Sequence, residues 1–259
     1  MFNIRDKVVE RTEEELKRIY NYEFGCSFAL MTKAYFSPNV LRYDEAARWD
    51  YIRTVFKYSH FLINSQEEWD NINYEHLVGQ RCKVIQIDCK EPIEINAHVR
   101  FISFLEIVND SNVTLNVSYN CAILDRARLL KRNGHDKVYA LDDSTLILHE
   151  GSAHLYDRSK AYGYNKVLFY AYDNSHAELY QYSSAILYEN ATAKKQDRSK
   201  NHKIKGKTTD FDYNTYYDRI YKTMWSRENK VDFKAAPAYV YPEDKPGPKF
   251  DENDLFARS

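Results

Sequence analysis

Eight histidines stand along the chain, His60, His76, His98, His135, His149, His154, His176 and His202, and a metal or acid–base site would draw on side chains of this type. None falls in an HxH or HExxH pair, and Cys26, Cys82, Cys89 and Cys121 include no CxxC pair, so the spacing predicts neither a metal nor a cofactor. Carboxylates are numerous, and two facing each other across a cleft would suit glycoside hydrolysis. The recurring ones, Asp157, Asp173, Glu189 and Asp197, instead follow a structural rhythm, and a nucleophile elbow, a P-loop and a dinucleotide fingerprint are all missing. The expectation is a protein that binds without catalysing. What repeats is tyrosine: Tyr156, Tyr164, Tyr172, Tyr180 and Tyr188 follow one another at intervals of eight, with Arg158 and Lys166 among them. Such rings give a rigid binding face at low entropic cost, or a platform for nucleobases or sugars. The second candidate is the basic run Lys194, Lys195, Arg198, Lys200, Lys203, Lys205 and Lys207, suited to phosphates or to an acidic partner.

The elements that position the tyrosines follow from the same interval. Residues 145–200 divide into consecutive octads, TLILHEGS, AHLYDRSK, AYGYNKVL, FYAYDNSH, AELYQYSS, AILYENAT and AKKQDRSK. A fixed short period signals a solenoid and outranks local propensity. Alternation along a strand sends the seventh, first and third positions inward, namely Ser175, Ala177, Leu179, Ser183, Ala185, Leu187, Ala191 and Ala193. The eighth, second and fourth then face outward, which makes His154 and His176 surface side chains and gives the fourth position to Leu148 in the first unit. Positions five and six, such as Asp157-Arg158 and Asp173-Asn174, carry the polar residues that turn a chain. Two octads per coil would stack Tyr156, Tyr172 and Tyr188 on one side and Tyr164 and Tyr180 on the other. Carried backward through Lys137, Leu129, Cys121 and Val113, the register predicts about 6 to 7 coils at ~4.8 Å each, a rod roughly 30 Å long. Gly134 is expected to mark a protruding loop.

The phrase AYDNSHAELY, Ala171 to Tyr180, resembles the AYDNATVEAY octads of many bacterial and phage proteins that form β-solenoids. Leu179 and Leu187 replace the alanines that family favours, and Lys194-Lys195 suggests that the coil ends there. The resemblance covers the central part of the chain. It implies a solenoid fold and a phage or mobile-element origin, and from that a host-interaction factor that inhibits a bacterial defence complex, as an anti-CRISPR protein does. Its partner would be a protein or a ribonucleoprotein. Alternative expectations are a single-stranded nucleic-acid binder using the tyrosine rows and the basic run, a carbohydrate-binding or hydrolysing solenoid, and a homo-oligomer joined through the coil ends.

The rest of the chain bounds these readings. Its 259 residues carry a net charge of −1, which removes the footprint of a general nucleic-acid binder but permits a local basic strip. The start lacks the apolar core of a signal peptide and no run approaches the ~20 apolar residues of a membrane span, so the expected location is the cytoplasm, of the host if phage-encoded, with no membrane partner. Residues 1–80 read as a helical cap plugging one end of the solenoid. Thr12 with Glu15 caps a helix whose face holds Val8, Val9, Leu16 and Ile19; a second should begin near Asp44 and run on to Ile63; Ser65 with Glu68 starts a third reaching Gly79. The solenoid then occupies 81–207. Residues 208–259 read as an aromatic helix and a Pro-rich extended tail.

Overall fold

In the computed structural model, which describes residues 2–21, 44–56, 59–78, 83–134, 136–195 and 204–205, the octads wind into a parallel β-solenoid of about seven turns. Its strands are β1 (His60–Ile63), β2 (Val84–Ile87), β3 (Ile93–Ile95), β4 (Phe104–Ile107), β5 (Asn112–Leu115), β6 (Cys121–Ile123), β7 (Arg128–Lys131), β8 (Lys137–Ala140), β9 (Thr145–Leu155), β10 (Lys160–Ala171), β11 (His176–Leu179), β12 (Ser184–Leu187), β13 (Thr192–Lys195) and β14 (Ile204–Lys205). Ala161 pairs with Ala177 and His176 with Thr192, offsets of 16 (177 − 161; 192 − 176), so two octads complete one lap. The rod has two broad sides. One is built from β2, β4, β6, β8, the later halves of β9 and β10, and β12; the other from β3, β5, β7, the earlier halves of β9 and β10, β11 and β13.

The fifth position of the octad explains the corners. Asp142, Asp157, Asn165 and Asp173 all hold φ near 55°, with Asn109 and Asp125 at 57°, Gln181 at 53° and Glu189 at 50°. Asn and Asp tolerate this left-handed conformation better than other non-glycine residues. The turn closes when the seventh residue donates its N–H to the fourth, Ser159 to Tyr156 O, Ser175 to Tyr172 O and Ser183 to Tyr180 O, each at 3.1 Å. The same side chains then tie lap to lap: the N–H of Asp125 donates to the Asp142 carboxylate (2.8 Å), that of Asp142 to Asp157 (3.0 Å), Asp157 to Asp173 (2.9 Å) and Asp173 to Glu189 (3.0 Å). Polarity at this position therefore serves both the turn and the stacking of turns.

The interior is small, as the alternation predicts. Ser175, Ala177, Leu179, Ser183, Ala185 and Leu187 are buried, while Ala191 and Ala193 in the last described lap are half-buried. Two inward positions break the pattern together: Phe169 stands where neighbouring laps have Ala, and Gly163 where they have Leu. A Cβ on Gly163 would lie 2.6 Å from the Phe169 ring. The ring occupies the volume the glycine vacates, so the two departures compensate.

Before residue 153 the expected register fails by one residue, twice and in opposite senses. Cys121 pairs with Val138 and Arg128 with Thr145, offsets of 17 (138 − 121; 145 − 128), whereas Lys137 pairs with Ser152 and Thr145 with Lys160, offsets of 15 (152 − 137; 160 − 145). The extra residue falls at the turn around Gly134, φ 101°, and the missing one at Gly151, φ 103°, where β9 passes from one side of the rod to the other without a polar corner. The two slips cancel, which hid them from a count of eight. Leu146, and not Thr145, pairs with Ala161; Leu148 points inward and is fully buried, and the outward fourth place belongs to His149. The Gly134 turn lies against the preceding lap, with a Cβ there only 2.5 Å from Ser118 Oγ. At the slip Lys131 occupies an inward site between Leu115 and Leu148, its buried amine 3.4 Å from the Tyr119 carbonyl and 3.8 Å from Asp136.

The amino-terminal segment departs further from expectation. The capping box is present, with Glu15 N–H on Thr12 Oγ1 (3.2 Å) and Thr12 N–H on the Glu15 carboxylate (2.7 Å), but helix α1 begins at Glu13 (Glu13–Asn21), and Val8 makes an antiparallel bridge with Phe61. Asp44 caps α2 (Glu45–Phe56) through Ala47 N–H (2.8 Å). The helix ends there, and His60–Ile63 becomes β1, paired with β2; a short apolar run fits either period, and the parallel neighbour decides. Ser65 caps only the short α3 (Gln66–Asp70), followed by a 3-10 turn at Tyr74–Leu77. The first lap is sealed by Ile4, Trp69 and Leu77, which enter the interior core. Helices α1 and α2 do not plug the end. They lie along the side of the rod, where Leu16, Trp49 and Ile52 bury Val84, Phe104, Val108, Ala122, Leu124, Tyr139 and Leu141. Arg11 and Glu106 form a buried ion pair beneath them, and Arg18 reaches Asp142. No helix among the described residues is long and apolar enough to cross a membrane. The expected aromatic helix and tail, residues 208–259, lie outside the described residues.

Candidate binding faces

Parallel stacking converts the octad interval into straight columns. Tyr156, Tyr172 and Tyr188 stack with centroids 4.9 and 4.6 Å apart and planes within 9° and 5°; Tyr164 and Tyr180 stack at 4.6 Å and 11° on the opposite side. The lap-to-lap spacing of parallel strands is about the thickness of an offset ring pair, so each tyrosine lies on the next in an ordinary stacking geometry. The consequence bears on chemistry. Within a ladder the π-faces are spent on each other, and what reaches a partner is the ring edge and its hydroxyl. Intercalation of nucleobases between ladder rings is therefore sterically closed.

The ladders continue into histidines that the count of eight misplaced. His149 stacks on Tyr164 at 5.2 Å, extending that column by one lap. His154 is not a plain surface side chain: it lies between Tyr139 (5.4 Å) and Tyr170 (4.9 Å), in a third column at the second octad position. Its Nδ1 is buried without a hydrogen-bond partner, and burial, aided by nearby Lys137, lowers its pKa to about 4. His176 is half-buried, its Nδ1 2.8 Å from Thr192 Oγ1. The third column was legible in principle, since Tyr139, His154, Tyr170 and Ile186 share a position once the slip at Gly151 is allowed.

The two sides of the rod have different chemistry. The side that α1 and α2 partly cover continues as Leu168, Tyr170 and Ile186 beside the Tyr156–Tyr172–Tyr188 ladder; it is the aromatic face. Its corner carries the column Asp125, Asp142, Asp157, Asp173 and Glu189. Desolvation and the neighbouring Asp173 carboxyl raise the Glu189 pKa. Next to it, Asp110 pairs with Arg126 and Asp143 with Arg158, each through two hydrogen bonds of 2.7–2.8 Å, which holds both carboxyls below their usual range. Arg158 is thus engaged at the corner. Lys166 stands exposed at the far corner, next to Tyr164 on the second side, the basic face. The expected binding surface is in this way divided between two faces. Of the basic run, Lys194 and Lys195 are exposed in β13; Lys205 pairs with Leu187 through β14, so one more strand follows the expected end; Arg198, Lys200, Lys203 and Lys207 lie outside the described residues.

Among the described residues no three His, Cys, Asp or Glu side chains are grouped to hold a metal ion. Cys89 and Cys121 are free and buried, and burial pushes their thiols up to about 11 and about 12, which keeps them protonated and unreactive at neutral pH. Cys26 and Cys82 lie outside the described residues. No family model matches the chain, and no curated protein or solved structure matches it.

Proposed function

We propose that this chain acts by binding a protein or ribonucleoprotein through its aromatic face, as a phage or mobile-element factor that blocks a bacterial defence complex in the host cytoplasm, in the manner of an anti-CRISPR protein. The observation that carries the binding role is preorganisation. Rings stacked at 4.6 to 4.9 Å stand on laps whose corners are already tied by N–H to carboxylate bonds, so a partner meets a surface with little conformational entropy left to lose. Ring edges with hydroxyls, flanked by Leu168 and Ile186, supply the mixture of apolar area and hydrogen bonding typical of protein interfaces. The octad resemblance supports the biological setting. Catalysis has no part in the reading.

Tagged full-length chain incubated in bacterial lysate should retain a stoichiometric protein or ribonucleoprotein. The double variant Ile186→Ser/Tyr188→Ser should lose it while still unfolding cooperatively, with only the small drop in melting temperature that one lost ring stack implies. Retention of no such partner by the natural chain, or full retention by the variant, removes the proposal.

A further inference from the structure

The net charge of −1 conceals a division between the two sides of the rod. Along the corner of the aromatic face guanidiniums are matched to carboxylates, Arg126 to Asp110, Arg158 to Asp143 and Arg18 to Asp142. On the basic face Arg128, Arg132, Lys160, Lys166 and Lys194 are exposed, and none has a carboxylate within ion-pair distance among the described residues. The carboxylates on that face include Glu94 in β3, Glu150, the ladder neighbour of Lys166, and Glu178, the ladder neighbour of Lys194, which accepts from the Tyr180 hydroxyl (3.1 Å). The cations come from three laps, Arg128 and Arg132 from β7 and the residue after it, Lys160 and Lys166 from β10 and Lys194 from β13; Arg128 and Lys160 share a register column at one edge of the face, and Arg132 and Lys166 form a short row toward the other. Between the rows stand the hydroxyls and ring edges of Tyr162, Tyr164 and Tyr180.

We propose that the basic face binds nucleic acid by its phosphate backbone and leaves the bases unread. An excess of cations over carboxylates on a rigid flat sheet is complementary to a linear polyanion, and release of condensed counterions supplies the driving force. The occupied π-faces of the His149–Tyr164–Tyr180 ladder deny the stacking platforms by which single-strand binders hold bases, so recognition stops at phosphate and sugar. The carboxylate column borders this face at its Arg128 and Lys160 edge and repels the same ligand from passing round that corner. An acidic protein is the weaker fit, because the end of the face where Lys160, Lys166 and Lys194 gather has Tyr162 and Glu178 where a protein interface would place apolar anchors. This surface is separate from the aromatic face, and either can fail alone.

The probe is a fluorescein-labelled 15-nucleotide RNA of mixed sequence, titrated with the full-length chain and followed by anisotropy. Neutralising four phosphates gives a log K against log salt slope of roughly −3. The Lys160→Gln/Lys166→Gln/Lys194→Gln variant should bind at least about 30-fold more weakly at an unchanged melting temperature, while Ile186→Ser/Tyr188→Ser binds as the natural chain does. An abasic deoxyribose-phosphate oligomer of equal length should bind within about threefold of the RNA. Absent or salt-insensitive binding overturns the proposal, as does a triple variant that binds normally. A tenfold loss with the abasic oligomer would assign the contact to bases, and tighter binding of polyglutamate than of RNA would assign the face to an acidic protein; either result overturns the backbone reading.

Discussion

The early and late laps of this solenoid solve one problem by different means. From β1 to β5 the laps are long and unequal, with offsets of 24 between His60 and Val84 and of 20 between Val84 and Phe104 (84 − 60; 104 − 84). Their interior is filled by Ile85, Ile87, Ile93, Ile95, Ile107, Val113 and Leu115, and their outer side is buried again under α1 and α2. From Lys160 to Lys195 the described laps keep an offset of 16 before β14 pairs with β12 at 18 (204 − 186), the interior shrinks mostly to Ala, Ser and Leu, and regularity is carried by tyrosine stacks and the column of corner carboxylates. Large apolar side chains contribute ~1.5–3 kcal/mol each on burial and tolerate loops of any length between them. Small cores contribute less per residue, and ladders make up the difference only where each lap repeats the last. Strict period is therefore a sign of where the stability comes from repetition.

The largest test of that contrast lies under α1. Glu106→Ala should cost about 3–5 kcal/mol in urea unfolding, because it strands the buried Arg11 guanidinium, whereas Arg11→Met/Glu106→Leu should stay near the natural stability. Equal losses in both variants would show that the pair itself, and not the stranded charge, matters. At the junction of the two regimes stands His154. Its folded pKa of about 4 lies below the unfolded value near 6.5, so the unfolded chain binds the extra proton between those limits and stability falls as pH falls from about 6.5 to about 4. The natural chain should lose roughly 3 kcal/mol over that window more than His154→Tyr does, read from unfolding curves at pH 7 and pH 4.

In the late laps, Gly163→Leu restores the common octad residue and should nonetheless destabilise by about 2 kcal/mol, since Phe169 already fills the site. Gly163→Leu/Phe169→Ala should recover most of the loss, a coupling measurable by a double-mutant cycle. Asp173→Ala should cost about 1–2 kcal/mol through the left-handed corner and the bond from Asp157 N–H, and Asp173→Asn should nearly preserve both. The smallest effect belongs to Arg158→Ala, a barely measurable shift in thermal melting, since its pair with Asp143 is exposed and screened by solvent. A larger loss there would mean that the arginine–aspartate row helps hold the laps together.

These differences explain which features are legible in the sequence. The late octads announce their inward alanines, their left-handed Asp and Asn corners and the opposite sides taken by Tyr172 and Tyr180, because each feature recurs in the same place. The slips at Gly134 and Gly151 cancel within a run of eights, so Leu148 was assigned outward when it is core, and His149 and His154 were missed as ladder members. The early laps have no fixed period, and β1 was hidden within the pattern of α2. Thr12, Asp44 and Ser65 correctly marked helix starts, since a cap is a local bond; where those helices would lie was not local.

The amino-acid order alone determined the lap of sixteen residues, the corners and the stacked tyrosines, because these depend on neighbours one octad or one lap away. Only the tertiary structure decided that α1 and α2 cover a side and not an end, that Arg11 meets Glu106 across 95 residues, and that Arg128, Arg132, Lys160, Lys166 and Lys194 gather on one side of the rod. Such outcomes depend on which faces are left to be buried or matched once the laps have stacked, and no short-range spacing in the chain records that.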